Sequence, residues 1–223
     1  MTYVVDISHY QTPTSFAAAY AWGLRGVIMK ASQGVRTADP HVTKAMCDDV
    51  TGAGLLLGAY DFNTGDPPRE QVDFFLDVVQ PDKDTFCALD FEDYKFPMSF
   101  GAMLDYLAYA DEKLDKVNPG KKMDLYSGNR LKAKIIGATS AQRAFLARRR
   151  LWGCEYGPRW RNVDVDGRTL PWPRPFLWQR TGDGIGPHPR SVPGIGTNID
   201  VNVYEGTSDQ LAAEWGQALS AAA

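Results

Sequence analysis

One short stretch of the sequence combines side-chain type and spacing into recognisable chemistry: Leu89-Asp90-Phe91-Glu92-Asp93, at the end of an apolar run that begins at Phe86. On a strand, residues i and i+2 share a face, so Asp90 and Glu92 point one way while Leu89 and Phe91 point the other. A rise of about 3.3 Å per residue sets their Cα atoms about 6.5–7 Å apart. Paired carboxylates suit the hydrolysis of a glycosidic bond. A neutral one protonates the leaving oxygen, and an ionised one faces the positive charge that develops on the sugar. Taken alone, an acid-x-acid triplet fits a solvated strand end or a helix cap equally well, because most acids are exposed.

The same placement recurs along the chain. Asp6 in VVDIS, Lys30 in VIMKAS, Tyr60 and Asp61 in GAYDF, and Tyr126 in DLYSG all close or interrupt apolar runs. So do Glu155 and Tyr156 in GCEY, Trp178 and Gln179 in LWQR, and Asp200 in NIDVN. In a strand covered on both faces, an Asp is costly unless it is paired or functional. A single such acid is structural more often than not. At least four acids arriving by this rule at one rim point to a shared functional site. Tyr60, Asp61, Tyr126, Tyr156, Trp178, His9 and Lys30 are the candidates to contact a substrate there. For His9, capping or simple surface exposure is an equal alternative.

The chain alternates apolar runs with helical stretches. Strands are expected at 3–8, 26–32, 55–62, 86–92, 123–128, 151–156, 175–180 and 198–204, and helices near 14–22, 41–53, 68–79, 99–117, 129–149 and 208–221. Such alternation predicts an α/β protein with a parallel sheet, since parallel strands need crossovers. Eight strands in about 200 residues suggest a closed barrel. From Gly157 to Gly196 the chain is rich in Pro and Gly, so the last strands are expected to be joined by loops rather than helices, which makes the barrel irregular. Residues 1–223 read as a single catalytic barrel domain.

Composition narrows the function classes. A net charge of −3 gives no electrostatic footprint for nucleic acid. The basic run Arg148-Arg149-Arg150 closes a helical stretch, where arginines complement the helix dipole and sit in solvent. Three cysteines, Cys47, Cys87 and Cys154, form neither a disulfide framework nor a CxxC pair. Buried free thiols are expected at Cys87 and Cys154. His9, His41 and His188 are scattered without metal-ligand spacing, so neither a metal nor another cofactor is expected. Gly182-Asp183-Gly184-Ile185-Gly186 leads to Pro187 rather than a helix, which excludes a nucleotide loop. Trp160 and Trp172 in the Pro-rich loops are expected to pack rather than to bind. The first ten residues lack a basic, then apolar, leader, and no segment is long enough to span a bilayer.

Eight segments in order, VDISHYQ (5–11), IMKASQG (28–34), GAYDF (58–62), LDFE (89–92), LYSG (125–128), LWGCEY (151–156), LWQRT (177–181) and NIDVNVY (198–204), resemble glycoside hydrolase family 25. These are the lysozymes of bacteriophage endolysins, bacteria and some fungi. The resemblance implies an irregular TIM-like β/α barrel with β-1,4-N-acetylmuramidase activity on the glycan strands of bacterial peptidoglycan. It places the general acid on Glu92. It gives Asp90 either attack on the anomeric carbon or assistance to the substrate's acetamido group. It makes Asp6 and Asp200 residues that hold Glu92 or the sugar, and sets Tyr60, Tyr126 and Trp178 along the cleft.

The chain departs from the family where Tyr60-Asp61-Phe62 replaces the usual Tyr-His-Phe. An ionised Asp61 on the rim would help Glu92 keep its proton, whereas strict alternation puts Asp61 on the opposite face. Residues 157–190 match no family motif, and no wall-binding repeats follow the barrel. The expectation is a monomeric phage endolysin, made in the host cytoplasm without a signal peptide and released to the wall by a holin or by lysis. The alternatives are a chitinase-like N-acetylglucosaminidase and a catalytically inactive wall-binding protein on the same barrel.

Overall fold

The computed structural model describes residues 1–92, 97–163 and 166–216. Eight strands form the frame: β1 (Thr2–Ile7), β2 (Leu24–Gln33), β3 (Leu56–Phe62), β4 (Phe86–Asp90), β5 (Asp124–Ser127), β6 (Leu151–Cys154), β7 (Leu177–Thr181) and β8 (Asp200–Tyr204). They pair in the order β1-β8-β7-β6-β5-β4-β3-β2, and β2 pairs back onto β1, which closes the barrel. Around it lie α1 (Phe16–Trp22), α2 (Lys44–Gly52), α3 (Pro68–Val79), α4 (Phe100–Leu114), α5 (Asn129–Lys134), α6 (Ser140–Ala147) and α7 (Ser208–Trp215).

Helix boundaries follow from local chemistry. Ser15, Thr43, Ser99, Thr139 and Thr207 each accept a hydrogen bond from a first-turn N–H as N-caps. At Thr139 and Thr207 the third residue is Gln and reaches back, which completes a capping box. The Thr139 cap explains why the helix expected over 129–149 is broken. It divides into α5, a 3₁₀ turn over Ile135–Gly137, and α6. The helix expected over 208–221 is present as α7 to Trp215, and residues 217–221 lie outside the described part.

Strand alternation sorts the core into two layers. Inward-facing Val4, Ile28, Phe86, Ala88, Tyr126, Trp152, Leu177 and Tyr204 fill the barrel. The outward positions, among them Val5, Val27, Met29, Ala59, Cys87, Leu89 and Leu125, pack beneath the helices. Leu211 and Trp215 of α7 plug the floor of the barrel, and the Trp215 indole N–H donates to Leu57 C=O (2.7 Å).

Two further expectations need correction. The sheet is not wholly parallel, because β8 runs antiparallel to both β1 and β7. No helix lies between β7 and β8 to carry the chain back to the floor, so β8 starts at the rim and returns downward. Of the arginine run only Arg148, at the end of α6, is exposed as expected; the other two are not solvated. Arg149 is 1% exposed and forks onto Asp111 (3.2 Å to each oxygen) with a further bond to Met123 C=O. Arg150 grips the buried Asp124 through Nε (3.1 Å) and Nη2 while its guanidinium stacks over Phe176 (4.2 Å). The barrel itself follows the expectation in its eight strands, its closure and the loops between its last strands. Cys47, Cys87 and Cys154 are free thiols, with Cys87 buried and Cys154 half-buried.

Candidate active site

The C-terminal ends of β1–β7 and the N-terminal end of β8 converge on one rim. The reversal of β8 sets its first residue, Asp200, directly across from Asp6 at the end of β1. In the same way Asp90 ends β4, and Glu92 emerges two residues later on the same side. A cavity of about 350 Å³ is lined by Asp6, Lys30, Tyr60, Asp90, Glu92, Tyr126, Tyr156 and Asp200. All four predicted acids are therefore brought together, with four of the seven predicted substrate contacts. A second cavity of about 530 Å³, lined by Arg130, Cys154, Glu155 and Arg161, shares Glu92 and Tyr156 with the first. Glu92 thus stands where two arms of one cleft meet.

Three predicted contacts are elsewhere. Asp61 is 0% exposed on the outer face of β3, where its Oδ1 accepts from Ser32 Oγ (2.6 Å) and its carboxyl lies against Tyr106 of α4. Strand alternation prevails there, and Asp61 is no part of the rim. Trp178 also faces outward, between inward-facing Leu177 and Gln179, with its indole N–H on Glu155 C=O (2.8 Å). His9 lies outside the cleft lining; Asp39, buried at 5% exposure, receives its Nδ1 (2.9 Å) and its backbone N–H.

Charge is the main property of the cleft. Asp6, Asp90, Glu92, Asp183 and Asp200 line the first cavity, and Lys30 is the one basic side chain among its described lining residues. Desolvation pushes Asp6 up to about 6, even though Asn202 Nδ2 (2.7 Å) and Gln179 Nε2 (3.1 Å) donate to it. Burial and the charges of Asp6 and Asp183 push Asp200 up to about 9, so a neutral Asp200 donates to Asp6. Burial first, then Glu92 and Asp6, lift Asp90 far above the usual carboxylate range, and Asp90 Oδ1 has no hydrogen-bond partner. Burial, Asp6 and Asp183 also raise Glu92. Lys30 is lowered by burial. It donates to Gln33 Oε1 (2.6 Å) and lies 4.6 Å over the Phe62 ring.

Aromatic groups wall the cleft. Tyr60 meets Trp152 edge-on at 6.0 Å, and Tyr126 packs on Trp152 at 4.4 Å while its hydroxyl donates to Gln179 Oε1 (2.8 Å). Trp152 Nε1 donates to Asn202 Oδ1 (2.6 Å), so one network runs from Trp152 through Asn202 to Asp6. Gly182 leaves room for the Tyr156 hydroxyl and Asp200 Oδ1, which a Cβ there would have to push aside. Asp183 (φ 51°) and Asn198 (φ 54°), both in the lining, hold the left-handed conformation that Asp and Asn tolerate best.

Sequence reasoning did not single out Trp152, Asn202 or Asp183 as site residues, and it named Gln179 only as a polar strand end. A signal existed for Gln179, because in LWQR only one of Trp178 and Gln179 can share the face of Leu177. For Asp183 the signal was its place between two glycines in a loop beside the rim. Among the described residues no three His, Cys, Asp or Glu side chains gather in a way that could hold a metal ion. Burial pushes the Cys154 thiol up to about 12, so it is no nucleophile.

Solved structures share this architecture. A bacterial lysozyme from Streptomyces coelicolor aligns over 96% of this chain and 97% of its own, at 19% identity and TM-score 0.77. A muramidase from Trichobolus zukalii aligns over 97% and 99%, at 24% identity and TM-score 0.72. The catalytic domain of an endolysin from a bacteriophage of Listeria monocytogenes aligns over 97% and 98%, at 17% identity and TM-score 0.68. Identities this low establish the fold alone. No curated protein matches the sequence. The family model described as glycosyl hydrolases family 25 matches residues 5–187, a span that holds Asp6, Asp90 and Glu92 and stops short of Asp200. With that match and an acid-lined rim on the shared barrel, the chain belongs to glycosyl hydrolases family 25 and is a glycoside hydrolase.

Proposed function

We propose that this glycoside hydrolase is a lysozyme, a β-1,4-N-acetylmuramidase that cleaves the glycan strands of bacterial peptidoglycan. The observation that carries the reading is the raised, half-buried Glu92 at the junction of the two arms, beside the more deeply buried Asp90. A glycan lying along both arms sets its scissile oxygen at Glu92, which protonates it as the bond breaks. Asp90 and Glu92 titrate as a pair and hold protons jointly in the empty cleft. Positive charge developing on the sugar favours ionised Asp90, with Lys30 nearby, and leaves the proton on Glu92. Neutral Asp200 and the amides of Asn202 and Gln179 hold Asp6 in place in the same cavity.

The test is digestion of purified peptidoglycan, followed by borohydride reduction and hydrolysis of the products. New reducing ends recovered as muramitol support the reading. Glucosaminitol instead, with turnover of chitin oligomers, would make the enzyme an N-acetylglucosaminidase, and binding to wall without turnover would make it a wall-binding protein.

The biological setting we propose is phage lysis. The chain acts as a monomer, made in the host cytoplasm and reaching the wall after release by a holin or by lysis. The catalytic domain of a phage endolysin is among the proteins that share this barrel. Expression inside a susceptible host, with and without a holin, tests it. Lysis only with the holin is expected, and lysis without one would overturn the release route.

A further inference from the structure

The barrel's hydrogen-bond ladder stops at Asp90, yet Glu92 lies two residues further on. Something other than strand pairing has to fix the backbone that carries the acid. Phe91 is held from the β5 side: its N–H donates to Tyr126 C=O (2.9 Å), and its C=O accepts from Ser127 Oγ (2.6 Å). On the β3 side one residue does the rest. Asn63, the first residue after β3, is 0% exposed. Its backbone N–H donates to Asp90 C=O (3.1 Å), its Nδ2 donates to Glu92 C=O (3.2 Å), and its Oδ1 accepts from Met98 N–H (3.0 Å).

We infer that Asn63 is the positioning residue for Glu92, a side-chain bracket that replaces the missing ladder and fixes where the acid's carboxyl stands in the cleft. The inference rests on the reading of Glu92 as the proton donor. An amide is the side chain suited to this place. It presents a donor to the carbonyl of residue 92 and an acceptor to the N–H of residue 98, so it ties together both ends of the segment between them. A buried amide with both ends engaged gives a fixed geometry, since each partner left alone would be an unsatisfied buried group. Proton transfer needs the acid within hydrogen-bond reach of the leaving oxygen, and a misplacement of about 1 Å can cost about 100-fold in rate.

The consequence concerns kcat more than KM. The sugar is gripped by the walls of the cleft, which Asn63 does not line, whereas the acid is aimed by Asn63. Glu92 faces Asp6 on β1, Asp90 on its own segment, Tyr126 on β5, Cys154 on β6 and Asp183 in the loop after β7, and it shares the second cavity with Arg130, Glu155, Tyr156 and Arg161. Release of its backbone moves its carboxyl relative to these groups and toward water, so its ionisation shifts toward the ordinary carboxylate range.

The experiment compares Asn63→Leu, which is close in shape and removes both bonds, with Glu92→Gln and with Val50→Ala, a buried change in α2 far from the cleft. Asn63→Leu is expected to lower kcat about 10- to 100-fold, with KM changed less than about threefold. The alkaline limb of its kcat/KM profile should move to lower pH. Val50→Ala should lose thermal stability with kcat unchanged. If Asn63→Leu unfolds, Asn63→Ser is judged by the same criteria. Folded Asn63 variants with wild-type kcat and an unmoved limb, beside an inactive Glu92→Gln, would overturn the bracket and leave the acid assignment standing. An active Glu92→Gln would instead remove the reading on which the bracket depends.

Discussion

The two ends of the barrel treat charge in opposite ways. At the floor, Asp124 is 2% exposed but meets Arg150 through several bonds, and Arg150 also donates to Trp215 C=O (3.0 Å). Close by, Arg149 is buried against Asp111. Every one of these charges has an opposite partner. At the rim, Asp6, Asp90, Glu92 and Asp200 face one another with Lys30 as the one basic side chain among the described lining residues. Burial raises a carboxylate at both ends, Asp124 included. At the floor Arg150 then counters it, while at the rim neighbouring acids add to it. The same alternating strands therefore build a cross-linked base and a strained mouth. Uncompensated acids destabilise a fold, so their retention at one end only marks that end as the working one.

The largest effect is expected at the floor. Asp124→Ala leaves Arg150 as an unpaired buried cation and should destabilise the fold by about 3–5 kcal/mol. Chemical denaturation checks this, and a loss under about 1 kcal/mol would mean the pair is ornamental. At the rim, Asp90→Asn should keep or raise stability yet lower kcat about 10²–10³-fold, through loss of the countercharge to the developing cation. Steady-state kinetics with a thermal melt separates the two effects.

Asp200→Asn sharpens the contrast through pH. A carboxyl raised from 3.8 to about 9 stabilises the fold fully below its unfolded value, and that contribution is lost as pH rises toward 9. The variant should therefore gain thermal stability over wild type at pH 8 and little at pH 4. An equal gain at both would show that Asp200 is not held neutral. The smallest effect on activity is expected at Asp61. Its carboxyl, raised to about 7 by burial, gives the same sign between about pH 4 and 7, so Asp61→Asn should flatten that part of the stability curve. Because Asp61 is on the outer face, the alkaline limb of kcat/KM should stay in place.

Much of this contrast could be read in the sequence. Apolar runs ending in an acid or a Tyr marked the strands and the rim, because a strand's two-residue period is written directly in side-chain polarity. Asp61 shows the limit of using position without parity, since it adjoins Tyr60 yet faces the helices. Trp178 and Gln179 exchange roles for the same reason. Long-range partners were not legible at all. Nothing near Arg149 or Arg150 announces Asp111 or Asp124, so a buried pair read as a solvated helix end. The direction of β8 was half-visible. The loop-rich stretch before it removed the crossover that a parallel strand requires, and the reversal delivers Asp200 to Asp6. Asn63 carries no local mark, because its partners at 90, 92 and 98 come together only in the fold.

Glu92→Gln decides whether the rim holds its crowded acids, at a cost in stability, for proton transfer by Glu92. Turnover of purified peptidoglycan and thermal unfolding are measured on the same preparation. The account predicts a loss of about 10²–10⁴-fold in turnover, with a melting temperature at or above that of the wild type because one of the crowded acids is gone. Wild-type turnover, or lost turnover with a collapsed melting temperature, would contradict it.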